Sequence, residues 1–210
     1  MEKTDWKKLE KSLYLPRPEP ERVMIPRFWF LSVDGRGAPS GAAFSARVEA
    51  LFSLSYAIKM AIKKGTSPFE PCDYAVYPLE GIWDLEPGSN HVEGAPIDKK
   101  SLVYTLQIRQ PSFVTTEYVS EILAATRVKK PNVPLDGVRF EEFEEGPCLQ
   151  ILHRGSFDSE SESFAILESH MAASGLKRSA HSHREIYLSD FRKSAPEALR
   201  TVLRVGIVSA

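Results

Sequence analysis

The chain has 210 residues, of which 42% are hydrophobic and 26% are charged, and its formal net charge at pH 7 is −1. These proportions are ordinary for a globular domain, and the balanced charge excludes the strong positive field of a nucleic-acid-binding or lipid-binding surface. The two cysteines have no metal-type spacing, and no apolar run approaches the ~18 residues of a membrane span. We therefore expect a soluble, cytoplasmic protein that binds neither nucleic acid nor membrane.

The first half of the chain is predicted to contain one long helix between short strands. Apolar residues recur at helical spacing over residues 42–64, and Tyr56 flanks this stripe. Strands are predicted over residues 27–33, 73–78 and 101–109, a glycine turn over 34–37, and a loop over 88–98. A further helix over 115–129 follows.

The second half repeats the order of strand, glycine turn, helix and strands. A strand is predicted over residues 148–153, and Ser159 and Glu162 match a capping box that opens the next helix. Internal duplication predicts an α+β fold of two tandem strand–helix–strand–strand units, whose antiparallel sheet carries helices on one face and a ligand trough on the other. The predicted parts are an N-terminal arm (1–25), a first repeat (26–110), a connecting helix and loop (111–136) and a second repeat (137–208).

The strand predicted around residues 181–190 carries an unusual row of polar groups. Alternation places His181, His183, Glu185 and Tyr187 on one face and Ile186 with Leu188 on the other. We expect the apolar face to pack on the helices and the polar face to look into the trough. A buried carboxylate at Glu185 requires a partner, either a ligand or an arginine; the candidate arginines are Arg109, Arg184 and Arg204.

Other kinds of site receive less support from the sequence. His181, His183 and Glu185 alternate along one strand, which spreads their side chains too far apart for tetrahedral zinc, so no metal and no cofactor are predicted. No serine lies in a nucleophile-elbow motif. Only about 25 residues precede the first predicted strand, and they contain no helix-turn-helix, so a transcription factor is not expected.

Several short motifs occur in an order that resembles the GyrI-like small-molecule-binding proteins. They are Asp34-Gly35-Arg36-Gly37-x-Pro39, Tyr56-Ala57-Ile58-Lys59, Pro78-Leu79-Glu80-Gly81-x-Trp83, Gln110-Pro111-x-Phe113-Val114, His153-Arg154-Gly155-x-Phe157, Glu185-Ile186-Tyr187-Leu188-Ser189-Asp190 and Leu199-Arg200-Thr201-x-Leu203-Arg204. The resemblance covers about residues 5–208. The chain departs from the pattern at Ala38, where an acidic residue is expected, and at Asp84, where a second tryptophan is common.

The resemblance implies the fold of the effector-binding domains of MerR-type multidrug regulators. Such domains bind bulky aromatic compounds, often cations, on a glutamate ringed by aromatic side chains. A cation on an aromatic face gains about 0.5–2 kcal/mol, and a carboxylate beneath it adds a longer-range attraction. The ligand-binding residues so implied are Glu185, Tyr187, Trp83, Tyr56, Tyr104, Tyr77 and His153, although a structural role is the more frequent one for a histidine beside a turn.

Three functions therefore stay open at this point. The first is binding of hydrophobic aromatic or cationic compounds, for sequestration or sensing. The second, implied by the activity of some relatives, is hydrolysis of cyclopropane-containing electrophiles, with Glu185, Tyr56 and Tyr187 as catalytic residues. The third is an interaction module that acts on a topoisomerase. The oligomeric state is not predicted.

Overall fold

The computed structural model describes residues 3–88 and 98–210, so most of the loop predicted over 88–98 lies outside the described residues. The strands are β1 (Lys3–Thr4), β2 (Glu21–Ile25), β3 (Phe28–Arg36), β4 (Asp73–Tyr74), β5 (Leu79–Leu85), β6 (Leu102–Gln110), β7 (Arg139–Phe143), β8 (Gly146–Arg154), β9 (Leu176–Arg178), β10 (His183–Tyr187) and β11 (Arg200–Ser209). The helices are α1 (Trp6–Leu9), α2 (Lys11–Tyr14), α3 (Ala42–Lys63), α4 (Thr116–Lys129) and α5 (Glu160–Ala173). The predicted α+β class, with antiparallel strand pairing and packed helices, is confirmed.

The chain folds into two compact units that are not simple halves of the sequence. The first unit consists mainly of Phe28–Tyr77 and Trp83–Phe143, and the second of Trp6–Arg27, Pro78–Ile82 and Glu144–Ala210. The second unit thus includes most of the N-terminal arm, from Trp6 onward, and the beginning of β5. The division into repeats over residues 26–110 and 137–208 stays a prediction.

In the first unit, β3 pairs with β6 on one side and with β7 on the other, both in antiparallel register. Helix α3 packs on β3 and β6 through its apolar stripe, which is buried as predicted. The members of that stripe are Phe44, Val48, Leu51, Ile58 and Ile62. Helix α4 packs on α3, and its first turn is capped by the Thr115 hydroxyl, which accepts from the Tyr118 amide.

Two local predictions in the first unit are wrong. Strand β3 continues to Arg36, so Asp34 and Gly35 lie in the ladder and not in a turn. Gly35 faces Tyr104, and a Cβ atom there would lie 2.2 Å from the Tyr104 ring, so the glycine makes room for an aromatic side chain. The strand predicted over 73–78 ends at Tyr74, where its pairing with the two-residue strand β1 also ends.

In the second unit, β8 and β11 form an antiparallel pair, with β10 on the far side of β11 and β2 on the far side of β8. Helix α5 covers one face of this sheet. The apolar core beneath it contains Leu149, Ile151, Leu167, Met171, Leu203, Val205 and Ile207. At about 25 cal/mol per Å² of apolar surface removed from water, burial of this cluster is a main source of the unit's stability.

The N-terminal segment lies against the opposite face of the same sheet. The Gln150 side-chain amide donates to the Ser12 carbonyl at 2.8 Å, and the Arg204 guanidinium donates to the Leu13 carbonyl. The Tyr14 hydroxyl lies 3.5 Å from Glu80 Oε1. Both faces of the second unit's sheet are therefore covered.

The start of α5 differs in detail from the capping box that the sequence predicts. The helix does begin after Ser159, but the Ser159 side chain makes no cap to the helix amides. A 3₁₀ turn over Phe157–Ser159 comes first, and the Ser159 hydroxyl donates back to the Ser156 carbonyl at 2.8 Å. Ser159 is thus the last residue of this turn, and its hydroxyl bonds within the turn and does not cap the helix.

Candidate functional site

The candidate site is built around Glu185, near the middle of β10. Glu185 is 9% exposed, and the Tyr187 hydroxyl donates to its Oε2 at 2.7 Å. His183 Nε2 lies 3.1 Å from Oε1. The predicted alternation is therefore present within β10, where His183, Glu185 and Tyr187 share one face and both carboxylate oxygens are engaged. The strand is shorter than predicted, and His181 lies before it in an exposed position.

The face that carries Glu185 looks toward α5, which corrects the sequence-based expectation. In the ladder, Glu185 lies opposite Leu203, and Leu203 lies opposite Ile151; both of these apolar residues belong to the core under α5. Ile186, which we expected on the helix side, is on the opposite face with Arg184. Since that face is also covered, Ile186 is completely buried there.

A second glutamate, Glu160, reaches the same place from the first position of α5. Glu160 is 7% exposed. Phe157 and Phe164, on either side of it along the chain, contact Tyr187 and His183, which flank Glu185. Burial raises the pKa of Glu160 well above its usual range, and the neighbouring charge of Glu185 raises it further. In the described part of the chain, no donor reaches Glu160 Oε1. Burial and the nearby carboxylate therefore both favour the neutral form of Glu160.

Sequence reasoning missed Glu160. Acidic residues are common in the first turn of a helix because they complement the helix dipole, so its position alone attracts no attention. Glu185, which faces it from β10, is 25 residues further along the chain, and no local motif connects the two glutamates. The sequence carries only a weak signal for Glu160. It is an acidic residue directly after a predicted N-cap, and the strand with Glu185 follows the same helix.

Aromatic rings surround this pair of carboxyl groups. Phe157 and Phe191 approach the Tyr187 ring edge-on at centroid distances of 5.9 and 5.5 Å. Phe164 packs against the His183 ring at 4.7 Å. Phe157 is partly exposed and lies in the 3₁₀ turn before α5, so an aromatic edge of the site is open to solvent. Such edges suit flat hydrophobic ligands.

His153 lies in the ladder row of Tyr187, with Thr201 between them. Its ring is buried, and both nitrogens are engaged: Nδ1 lies 2.9 Å from Ser163 Oγ, and Nε2 lies 3.0 Å from the Ser156 carbonyl. This geometry favours the structural role over a ligand contact. The His153 side chain connects β8 to the turn and helix that carry Glu160.

Two of the arginines considered as partners of Glu185, Arg184 and Arg204, form ion pairs with other glutamates. Arg184 donates to Glu80 at 2.7 Å and to Glu145 at 3.1 Å, and Arg204 donates to Glu145 at 3.2 Å. These residues form a buried ionic cluster (Glu80, Glu145, Arg184 and Arg204) on the face opposite Glu185. A buried charge is tolerated in a protein interior when it is paired with an opposite charge in this way.

The remaining predicted site residues belong to the first unit. Trp83 and Tyr104 are each 4% exposed and pack together at 4.9 Å, with Phe44 against both rings. The Arg109 guanidinium lies over the rings of Tyr77, at 4.5 Å, and of Phe28, at 3.4 Å. The structure thus brings Trp83 together with Tyr104 within the first unit, and Glu185 together with Tyr187 within the second.

Tyr56 is placed differently from the other tyrosines. It is 51% exposed on α3, where its ring lies 6.3 Å from that of Phe52. This agrees with a residue that flanks the buried stripe of the helix. The catalytic role of Tyr56 stays a prediction.

Neither a cluster of metal-ligating side chains nor a membrane-spanning helix is found in the described residues. Residues 3–88 and 98–210 contain no group of three His, Cys, Asp or Glu side chains arranged to hold a metal ion. Within the same ranges, every helix is too short or too polar to cross a bilayer.

Comparison with known proteins gives a consistent family. The model of the GyrI-like small molecule binding domain matches residues 18–207, whereas none of the curated proteins matches the chain. Among solved structures, an uncharacterized conserved protein from Listeria innocua is 37% identical with a TM-score of 0.89, covering 98% of this chain and 100% of that one. A hydrolase from the same organism is 36% identical with a TM-score of 0.87 and the same coverage.

A more distant similarity concerns the fold alone. The EcmrR C-terminal domain is 12% identical with a TM-score of 0.52, covering 94% of this chain and 99% of that domain. The family match extends over nearly the whole chain and includes both the aromatic cluster around Trp83 and the carboxyl pair at Glu185. The protein therefore belongs to the GyrI-like small-molecule-binding domain family.

Proposed function

We propose that the protein binds hydrophobic aromatic compounds that carry a positive charge, with Glu185 as the anionic contact. The observation that carries this proposal is the environment of Glu185. It is a buried carboxylate beside aromatic rings, and the neighbouring arginines of its unit pair with Glu80 and Glu145. A buried negative charge without an arginine or lysine partner is costly, and a cationic ligand offsets that cost.

The test compares a flat cationic dye with a neutral analogue of the same shape. Glu185→Gln should weaken binding of the cation about tenfold or more, since the charge-assisted contact is lost, and should change the neutral analogue little. The matched control is Glu162→Gln, which removes the same charge from the exposed side of α5. Titrations followed by dye fluorescence give both affinities. Equal losses for the two compounds would contradict the proposal.

A second candidate function, hydrolysis, is favoured by the contact between the Glu185 carboxyl group and the Tyr187 hydroxyl, at 2.7 Å. A carboxylate that can act as a base, beside a hydroxyl group that can act as an acid, is typical of acid–base catalysis. The 36% identical relative from Listeria innocua is described as a hydrolase. For an activated cyclopropane, Glu185 would take a proton from water as the oxygen bonds to the ring carbon. The ring C–C bond breaks, and the Tyr187 hydroxyl protonates the carbonyl oxygen that receives the electrons.

Product analysis separates this candidate from simple binding. The wild type should convert a cyclopropane-bearing alkylator to its ring-opened hydrate faster than buffer does. Glu185→Gln and Tyr187→Phe should each lower kcat at least tenfold with a smaller effect on KM, whereas Tyr56→Phe probes the exposed tyrosine. A wild type that binds the compound and turns it over no faster than buffer would exclude hydrolysis of that class and leave the binding function in place.

A further inference from the structure

Glu160 and Glu185 face each other inside the protein. Phe157 and Phe164, which lie on either side of Glu160 along the chain, contact Tyr187 and His183, which lie on either side of Glu185. Both glutamate residues are more than nine-tenths buried, and both oxygens of Glu185 are engaged by Tyr187 and His183. Two ionised carboxylates this close together in a protein interior repel each other, so the geometry favours a pair that holds one proton and one negative charge.

The charged and titratable groups around Glu160 come from three elements. Strand β10 contributes Glu185 together with His183 and Tyr187, the turn before α5 contributes Asp158, and β8 contributes His153, whose two nitrogens are engaged by Ser163 and the Ser156 carbonyl. Throughout residues 3–88 and 98–210, no lysine or arginine forms an ion pair with Glu160. The proton is therefore held by burial and by the nearby negative charges.

We propose that a cationic ligand at Glu185 displaces the proton held between Glu160 and Glu185, so that binding of a cation releases a proton to solvent. This inference rests on the proposed binding of cations at Glu185. The O–H bond of Glu160 breaks, its electron pair stays on the carboxylate, and the pair of glutamates changes from one negative charge to two. A neutral ligand of the same shape does not stabilise the second charge, and it leaves the proton in place.

Two features of Glu160 support ionisation once a cation has arrived. It occupies the first position of α5, a helix of 14 residues, where the positive end of the helix dipole favours a carboxylate. Its Oε1 atom has no donor among the described residues, so one oxygen is available to the ligand. The site would then recognise the positive charge with two carboxylates, and affinity for cations would rise with pH.

The experiment measures proton release directly. Calorimetric titrations of the full chain with a cationic aromatic dye, in two buffers of different ionisation enthalpy, give the number of protons released at each pH from 6 to 9. We expect release to rise toward one proton per cation with increasing pH, and to be zero for the neutral analogue. This comparison uses the wild type alone and does not depend on the folding of any variant.

Two variants assign the proton to its source. Glu160→Gln retains a neutral donor to Glu185, so it should bind the cation within a fewfold of wild type but release no proton. His183→Gln removes the other titratable partner of Glu185 and should leave the release intact. Circular dichroism confirms that each variant is folded.

The outcomes that contradict the inference differ from those that contradict the proposed function. Cation binding by wild type without proton release, release that persists in Glu160→Gln, or release that disappears in His183→Gln would each overturn the role of Glu160 and leave cation binding established. A wild type that binds neither the dye nor related cations would overturn the proposed function and, with it, this inference.

Discussion

Replacing Arg184 with methionine should lower the free energy of unfolding by about 3–5 kcal/mol. Arg184 is 2% exposed and donates to both Glu80 and Glu145. Burial opposes its charge, but the charges of Glu145 and Glu80 prevail and raise the pKa of the guanidinium. Methionine fills similar space without any donor, so two buried carboxylates would lose a partner. Urea denaturation followed by circular dichroism measures the loss.

The pKa values of the two glutamates in this cluster shift in opposite directions, although burial raises both. Burial prevails at Glu80 and raises its pKa, whereas the charges of Arg184 and Arg204 together prevail over burial at Glu145 and lower its pKa. The ionised form of Glu145 is therefore stabilised by the arginines more than that of Glu80. In the Arg184→Met variant, Glu145 would keep one ionic partner among the described residues, Arg204.

The matched control for this prediction is Arg178→Met. Arg178 forms a short ion pair with Glu168, at 2.6 Å, but its carboxylate partner is half exposed to solvent. Water can solvate the charge that remains, so the expected loss is at most about 1 kcal/mol. Similar losses in the two variants would show that the buried cluster contributes no more than a surface pair.

Replacing Glu160 with glutamine should stabilise the protein, and the gain should grow with pH. The native pKa of Glu160 lies above its ordinary value of 4.5, so the folded state keeps a proton that the unfolded state has lost. Wild-type stability therefore falls as the pH rises from about 4.5 toward the native pKa, by up to ~1.4 kcal/mol per pH unit. Glutamine has no proton to lose, and the variant avoids this loss.

Thermal or urea unfolding at several pH values from 4 to 8 tests the prediction. The stability difference between Glu160→Gln and wild type should be near zero at pH 4 and should exceed about 1 kcal/mol at pH 8. Glu162→Gln, on the exposed side of the same helix turn, should show no such trend. A constant difference across the range would mean that Glu160 is ionised in the folded protein.

The elements of this fold were predictable wherever one face is apolar and the other polar. The stripe of α3 predicted its burial and its length to within one residue, and the alternation along β10 predicted which side chains share the Glu185 face. Alternation does not, however, state which face looks toward a helix. Both faces of β10 are buried, so the apolar side chain of Ile186 did not mark the face that packs on the helix, and the orientation predicted for Glu185 was wrong.

The partners of the buried charges were not predictable from local patterns. Arg184 pairs with Glu80, 104 positions earlier in the chain. Glu160 comes close to Glu185 only because the start of α5 lies on the sheet face that carries His183 and Tyr187. Such contacts depend on how the elements pack, and the sequence around each residue carries no trace of the distant partner. Gly35 is similar: its proximity to Tyr104 follows from ladder register, whereas a glycine pair in sequence is typical of a turn.

Residues 12 and 13 of the N-terminal segment meet the buried side chains of the second unit through their backbone. Arg204 and Gln150 donate to the carbonyl groups of residues 13 and 12, and every amino acid supplies such a carbonyl. Evolution can therefore exchange the side chains at these two positions without disturbing the contact. What it cannot do is omit the segment, because Arg204 and Gln150 would then each lose a backbone acceptor. Related chains are accordingly expected to vary in the identity of these residues while keeping the path of the backbone.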